Sequence, residues 1–134
     1  MRRRTGVEAA GVKAGAEDAP TGLPRNYLRP CLLLLLAEGT SHGYELLDQV
    51  GGLGLDRVDP GGLYRCLRSM EEEGLVRSAW EPSASGPARR TYELTDEGAD
   101  WLHVLAGSLQ DVARSLAAYR RRYQRVADQT SRAR

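Results

Sequence analysis

The sequence contains no phenylalanine and no isoleucine, and one lysine, Lys13, against 18 arginines. A folded core must therefore be filled mainly by leucine, with valine, alanine, tyrosine and tryptophan closing the gaps. The arginine bias fits the codon usage of a GC-rich genome and by itself assigns no chemistry. Cysteine is equally scarce: Cys31 and Cys66 are the only two, which excludes a disulfide scaffold and a four-cysteine zinc site. Each lies beside apolar positions and reads as a small hydrophobe rather than a redox switch. His42 and His103 are the only histidines and have no companions at ligand spacing, so neither a metal nor another cofactor is expected. No paired carboxylates and no nucleophile–base arrangement stand out, which points away from an enzyme. The apolar run at 32–37 is six residues long, far short of a membrane span. The arginines at 2–4 are not followed by the apolar stretch of a signal peptide. The absences together describe a small cytoplasmic domain with no membrane partner.

An excess of charge of one sign is also lacking, since the formal net charge is +1. That total excludes a strongly basic protein that coats nucleic acid, but it hides an uneven distribution. Residues 1–22 sum to +1, residues 23–113 to −6 and residues 114–134 to +6. Contact with a polyanion must therefore rest on clustered arginines set against an acidic body.

What is present reads as an ordered series of elements. Residues 1–24 are rich in alanine and glycine, lack periodicity and read as a flexible tail. Pro30 belongs in the first turn of a helix that runs through the leucines to a stop at Gly39 and is apolar on nearly every side. Ser41 is placed to cap a second helix ending at Gly51 and Gly52, with Tyr44, Leu46, Leu47 and Val50 inward. Asp59 and Pro60 are a strong start signal for a third helix, which reaches Gly74. Its stripe Leu63, Leu67 and Met70 is apolar, and its other face carries Gly61, Gly62, Tyr64, Arg65, Arg68 and Ser69. Two strand-like segments, 76–81 and 88–94, flank turn residues 82–87 and form a β-hairpin, with Trp80 packed beneath it. Thr95 caps a last helix, with Asp96 and Glu97 favoured in its first turn. The helix runs to about Asp128, and a short flexible tail, 129–134, ends the chain.

The fold class that follows is mainly α with a small β-hairpin. It is a winged helix-turn-helix over 25–94 with a long C-terminal dimerisation helix over 95–128.

In that last helix the apolar positions are Leu102, Leu105, Leu109, Val112, Leu116, Tyr119, Tyr123 and Val126. They alternate steps of three and four residues without a break, a heptad seam that requires a partner helix. A second copy of the chain is expected to supply one, the plainer alternative being packing against the first helix of the same chain. A twofold dimer of DNA-reading helices requires a palindromic site, with half-sites about one helical turn, roughly 34 Å, apart.

Several stretches then resemble the PadR-type transcriptional regulators. They are the run from Leu28 through the five leucines, Ser41-His-Gly-Tyr-Glu45, and Pro60-Gly-Gly-Leu-Tyr-Arg65. The series continues with Leu67-Arg-Ser-Met-Glu-Glu-Glu-Gly-Leu-Val76 and Arg89-Arg-Thr-Tyr-Glu-Leu-Thr95. The resemblance covers about residues 26–100 and implies the small subgroup with one C-terminal helix. It implies a homodimeric repressor that binds a palindromic operator on double-stranded DNA and is released or modulated by a small-molecule effector. By this resemblance Tyr64 and Arg65 belong to the recognition helix. Arg89, Arg90 and Tyr92 belong to the wing, and His42, Gly43 and Tyr44 to the start of the second helix. One departure stands out: many relatives have serine or threonine where this chain has Gly62, so readout there falls to backbone N–H groups and neighbours.

The residues support DNA contact independently of the resemblance. Arg65 and Arg68 project from a helix that fits a major groove, where arginine can donate two hydrogen bonds to guanine. Arg89 and Arg90 at a hairpin rim can hold phosphates. The plainer reading pairs these arginines with acids such as Glu71, Glu72, Glu73 or Glu93. Ser41, His42, Gly61, Gly62, Tyr64, Arg65, Arg68, Arg89, Arg90 and Tyr92 are the DNA-facing candidates. Trp101, Arg120 and Arg121 are candidates for an effector, although Trp101 also reads as an anchor for its helix. A second reading of the same residues is a winged-helix dimer that senses a ligand or binds protein without recognising an operator.

Overall fold

The computed structural model describes residues 22–83 and 86–133. The tail expected over 1–24 lies, for residues 1–21, outside the described residues. Four α-helices and one hairpin account for the described fold: α1 Leu28–Glu38, α2 Gly43–Gln49, α3 Pro60–Glu72, β1 Val76–Glu81, β2 Arg89–Leu94 and α4 Asp96–Ala133. A 3₁₀ turn, Val50–Leu53, extends α2 through the Gly51–Gly52 pair.

Helix α1 is the post around which the first compact unit, which ends at Leu102, is built. Leucine is a strong helix former, and Pro30 sits in the first turn, where its missing N–H costs no helical hydrogen bond. Leu28, Cys31, Leu32, Leu33, Leu35 and Leu36 are all buried. Gly39 ends the helix at φ +111°, a conformation a side chain resists. The core is completed by Leu46 and Val50 from α2 and its extension, Leu55, Leu63, Leu67 and Met70 of α3, and Leu75 and Val76. Each fully buried leucine contributes about 2 kcal/mol of transfer free energy, so a core without Phe or Ile is amply supplied.

The α3 start is as the sequence predicts. The Asp59 side chain accepts a hydrogen bond from the Gly62 N–H at 3.2 Å, and Pro60 occupies the first helical position. The hairpin pairs Val76 with Leu94 through to Glu81 with Arg89 in antiparallel register. The Thr95 hydroxyl oxygen accepts from the Gly98 N–H at 3.0 Å and caps α4. Gly98 is required there, since a Cβ would collide with the Leu75 carbonyl oxygen.

Three details differ from the sequence reading. Ser41 does not cap α2: the N-cap is His42, which makes no side-chain cap. Residues 41–42 are extended instead, because β2 recruits them. The Ser41 carbonyl accepts from the Tyr92 N–H at 2.9 Å, and His42 bridges Thr91. The inward face of α2 is Gly43, Leu46 and Val50, with Tyr44 turned out at 54% exposure. Finally, α4 continues through 129–133, where a flexible tail is expected. No glycine or proline interrupts those residues, and Arg132 in the last turn complements the negative end of the helix dipole.

The first turns of α4, as far as Leu102, belong to the compact unit, and the remainder, His103–Arg134, is a second unit. In that second unit Val112, Leu116, Tyr119, Tyr123 and Val126 are all exposed.

Candidate functional site

Helix α3 lies with Leu63, Leu67 and Met70 against the core. Its 3.6-residue period therefore turns Gly61, Tyr64, Arg65 and Arg68 to the surface. Two features keep these arginines available. Arg65 folds over Gly61, where a Cβ would stand 3.2 Å from its Nη1. More important, two of the three acids at the end of α3, Glu71 and Glu73, are engaged elsewhere, and exposed Glu72 pairs with neither arginine among the described residues. Glu73 accepts both guanidinium nitrogens of Arg29 at 2.8 and 2.6 Å, a bidentate pair that ties α1 to α3 and is joined by Ser69. This pairing holds the Glu73 carboxyl below its ordinary range, chiefly through the Arg29 hydrogen bond. Glu71 accepts from the Ser78 hydroxyl at 2.7 Å and lies 3.9 Å from Arg90. Arg65 and Arg68 make no hydrogen bond or ion pair with another described residue.

The wing supplies the second half of the site. One face of the hairpin carries Ser78, Trp80, Arg90 and Tyr92, since Ser78 pairs with Tyr92 and Trp80 with Arg90. With Tyr64, Arg68 and Glu71 of α3, the wing residues Trp80, Arg90 and Tyr92 line a cleft of about 460 Å³. The Arg90 guanidinium lies 5.1 Å above the Trp80 ring and donates to Ser78 Oγ at 2.7 Å. Trp80 is 62% exposed, so it is not packed beneath the hairpin. It lies out along the strand, beyond the reach of the core, and is capped on one side by Arg90. The opposite hairpin face carries Arg89, whose Nη1 donates to the Tyr44 hydroxyl at 3.2 Å and whose guanidinium lies 5.6 Å over the Tyr44 ring. Tyr44 is thus a site residue that periodicity assigns to the core. Its neighbour Gly43, which lets Tyr64 approach, is the available signal that this helix end faces a surface.

Some expected site residues occupy other positions. Tyr92 is only 7% exposed; it packs beneath the wing, and burial raises its phenol pKa. Gly62 is buried and its N–H is consumed by Asp59, so it offers no backbone donor. Ser41 is half-buried and pairs with β2 through its carbonyl. Both nitrogens of His42 are occupied by carboxylates, Glu45 at 3.2 Å and Glu81 at 2.9 Å. Tyr64, Arg65, Arg68, Arg89 and Arg90, with Gly61 between the first α3 residues, make up the exposed remainder.

Other chemistry is sparse. Among the described residues no cluster of three or more His, Cys, Asp or Glu side chains could hold a metal ion, and no helix is long and apolar enough to cross a membrane. Cys31 is buried, and burial pushes its thiol up to about 11, far from the reactive range. Trp101 is half-exposed in the first unit, and Arg120 and Arg121 are exposed in the second.

The sequence profile of the transcriptional regulator PadR-like family matches residues 32–104, more than half of the chain. No curated protein matches the chain in sequence. Among solved structures, a PadR-like transcriptional regulator from Bacillus cereus is similar at 29% identity and TM-score 0.60, covering 66% of this chain and 86% of that one. A PadR family transcription regulator from hypervirulent Clostridium difficile is similar at 26% identity and TM-score 0.61, covering 70% and 98%. Bacillus subtilis PadR, solved in complex with operator DNA, is similar at 25% identity and TM-score 0.54, covering 62% of this chain and 48% of that one.

Proposed function

The chain belongs to the PadR-like family of transcriptional regulators, and on that premise we propose that it is a homodimeric repressor that reads a palindromic DNA operator. Helix α3 enters the major groove with Arg65 and Arg68 reading base edges or phosphates and Tyr64 alongside. The wing crosses the neighbouring backbone with Arg89 and Arg90. One observation carries the reading: Arg65 and Arg68 are exposed and make no ion pair among the described residues, while Glu71 and Glu73 are held by Ser78, Arg90 and Arg29. An acidic body with such a localised cationic surface favours one docking face over nonspecific coating. The DNA-bound state of the Bacillus subtilis relative supports the same assignment.

Dimerisation through α4 is supported by the exposed seam of Val112, Leu116, Tyr119, Tyr123 and Val126, a row that soluble proteins cover. Two related α3 helices then address half-sites about 34 Å apart. Modulation by a small molecule completes the reading, with half-exposed Trp101 as a stacking surface for a flat ligand.

The test is selection of bound sequences from random duplexes, followed by titration at several salt concentrations. An enriched palindrome, bound with an affinity that falls steeply with salt and is lost in Arg65→Ala, is the expected result. Recovery of no palindrome would remove the operator reading and leave a sensing or protein-binding dimer.

A further inference from the structure

We propose that His42 is a positioning residue that keeps Glu81 away from Arg89, so that loss of the His42 proton hands Glu81 to Arg89 and withdraws that arginine from DNA. The inference rests on the DNA-binding reading above and adds to it a proton-controlled element in the wing.

The geometry begins with the register of the hairpin. Glu81 and Arg89 are directly opposed on β1 and β2, and an opposed acid and base on one hairpin face ordinarily pair. Here they do not. Glu81 Oε1 is 2.9 Å from His42 Nε2, while Arg89 turns to the uncharged Tyr44 hydroxyl. His42 is held at this point by its backbone bridge to Thr91, so the imidazole is fixed beside the wing rather than carried on a mobile loop.

The two ring contacts define the charge state. Nδ1 faces Glu45 at 3.2 Å and Nε2 faces Glu81 at 2.9 Å. A carboxylate only accepts, so both contacts are hydrogen bonds only when both nitrogens carry protons, that is, in the imidazolium. A neutral ring has one N–H, and in the tautomer that keeps it on Nδ1, towards Glu45, the Nε2 lone pair turns towards Glu81 and releases it. The hydrogen bonds to Glu81 and then Glu45 raise the His42 pKa above the ordinary histidine value.

The surrounding charges leave one destination for a released Glu81. From α2 the groups facing His42 are Glu45 and Tyr44, and from β1, Glu81; on β2, Arg89 stands opposite Glu81 and over the Tyr44 ring. Further along the same hairpin face, Arg77 and Glu93 are paired with each other at 3.2 Å. Arg89 is therefore the cation opposite Glu81 that lacks an acidic partner among the described residues. When pH rises through the raised His42 value, the imidazolium bridge opens and the cross-strand pair closes. DNA phosphate and Glu81 then compete for the same guanidinium, and protonated His42 settles the competition in favour of DNA.

The same two His, Glu contacts exclude a metal reading of the cluster. Glu45 and Glu81 approach different ring nitrogens, which point away from each other, so one ion cannot take all three ligands.

The test uses the full chain and a duplex selected as above, with affinity measured across roughly pH 6 to 8 in the wild type, His42→Gln, Glu81→Gln and the double variant. The wild type is expected to weaken about three- to fivefold as pH rises, the weight of one phosphate contact, with a salt slope about one unit shallower at the upper end. His42→Gln should behave at every pH like the wild type at high pH. Glu81→Gln should bind tightly and independently of pH, and should restore tight binding to His42→Gln. A merely structural His42 would not be rescued in this way, and pH-independent wild-type binding or absence of rescue overturns the proposal. The imidazole titration followed by NMR without DNA keeps the test separate from the DNA-binding reading. His42 should titrate above about 6.5 in the wild type and lower in Glu81→Gln; an unmoved value overturns the proposal even where no duplex binds.

Discussion

A Cβ placed on Gly43 would lie 2.6 Å from both Cε1 and the hydroxyl oxygen of Tyr64, so the Tyr64 ring rests on the bare backbone that opens α2. This contact fixes the direction of the one aromatic side chain on the exposed face of α3. Gly43→Ala is expected to push Tyr64 outward. The ring can swing towards solvent, so the stability loss should be modest, about 1 kcal/mol, while operator affinity falls. Adding Gly43→Ala to Tyr64→Ala should then cost almost no further affinity. Thermal melts and fluorescence anisotropy on the four proteins check both statements.

Arg65 and Arg68 have no described partner to lose, so their removal should leave the fold intact. Arg65→Ala and Arg68→Ala are each expected to cost about 1–3 kcal/mol of operator affinity if they read a base edge. A phosphate role would instead weaken all duplexes alike and lower the salt slope by about one. Melting temperatures within a degree or two of the wild type should accompany either outcome.

The Arg29–Glu73 pair behaves in the opposite manner: it acts on stability, not on DNA. Its carboxyl pKa is depressed in the folded chain by the Arg29 hydrogen bond. A depressed carboxylate contributes stability that is present above its unfolded value and lost as pH falls through the folded one. The stability gap between wild type and Glu73→Gln is therefore expected at neutral pH and should close on acidification below the ordinary glutamate range of about 4.3. Urea melts at a series of pH values provide the measurement. A gap that persists at the acid end would remove the ion pair as its cause.

Tyr119, 70% exposed, and Tyr123, 59% exposed, lie on the α4 seam. Replacing both by glutamate puts like charges into any helix pairing built on that seam. Sedimentation equilibrium should show the wild type as a dimer and the double variant as a monomer. Operator affinity should fall with the dimer, because two half-sites are no longer engaged at once.

Local chemistry made much of this legible from sequence. Asp59 with Pro60, Thr95 and Gly39 mark element ends through interactions within a few residues, and the leucine and heptad spacings mark the buried and seam faces. The departures all depend on distant partners. Ser41 has the right side chain for a cap, but β2 captures its carbonyl. Tyr44 has core spacing, yet the wing draws it outward through Arg89. Trp80 and Tyr92 lie on the same hairpin face, yet one is exposed and the other buried, a difference that strand alternation does not carry. Gly62 has a backbone N–H at the helix start, and Asp59 takes it. The partnerships of Glu71 and Glu73, which decide whether α3 is cationic, join residues up to 44 positions apart and carry no periodic signal.

Trp80 is one of only two tryptophans in the chain, and its ring is mostly in water with one cation over it. The wing thereby carries its own optical label. Anything that enters the cleft beside α3 strips water from the indole or displaces Arg90, and the emission colour changes with either event. With Trp101→Tyr removing the other source, the light comes from the wing alone, and occupancy can be followed without attaching a dye to protein or DNA.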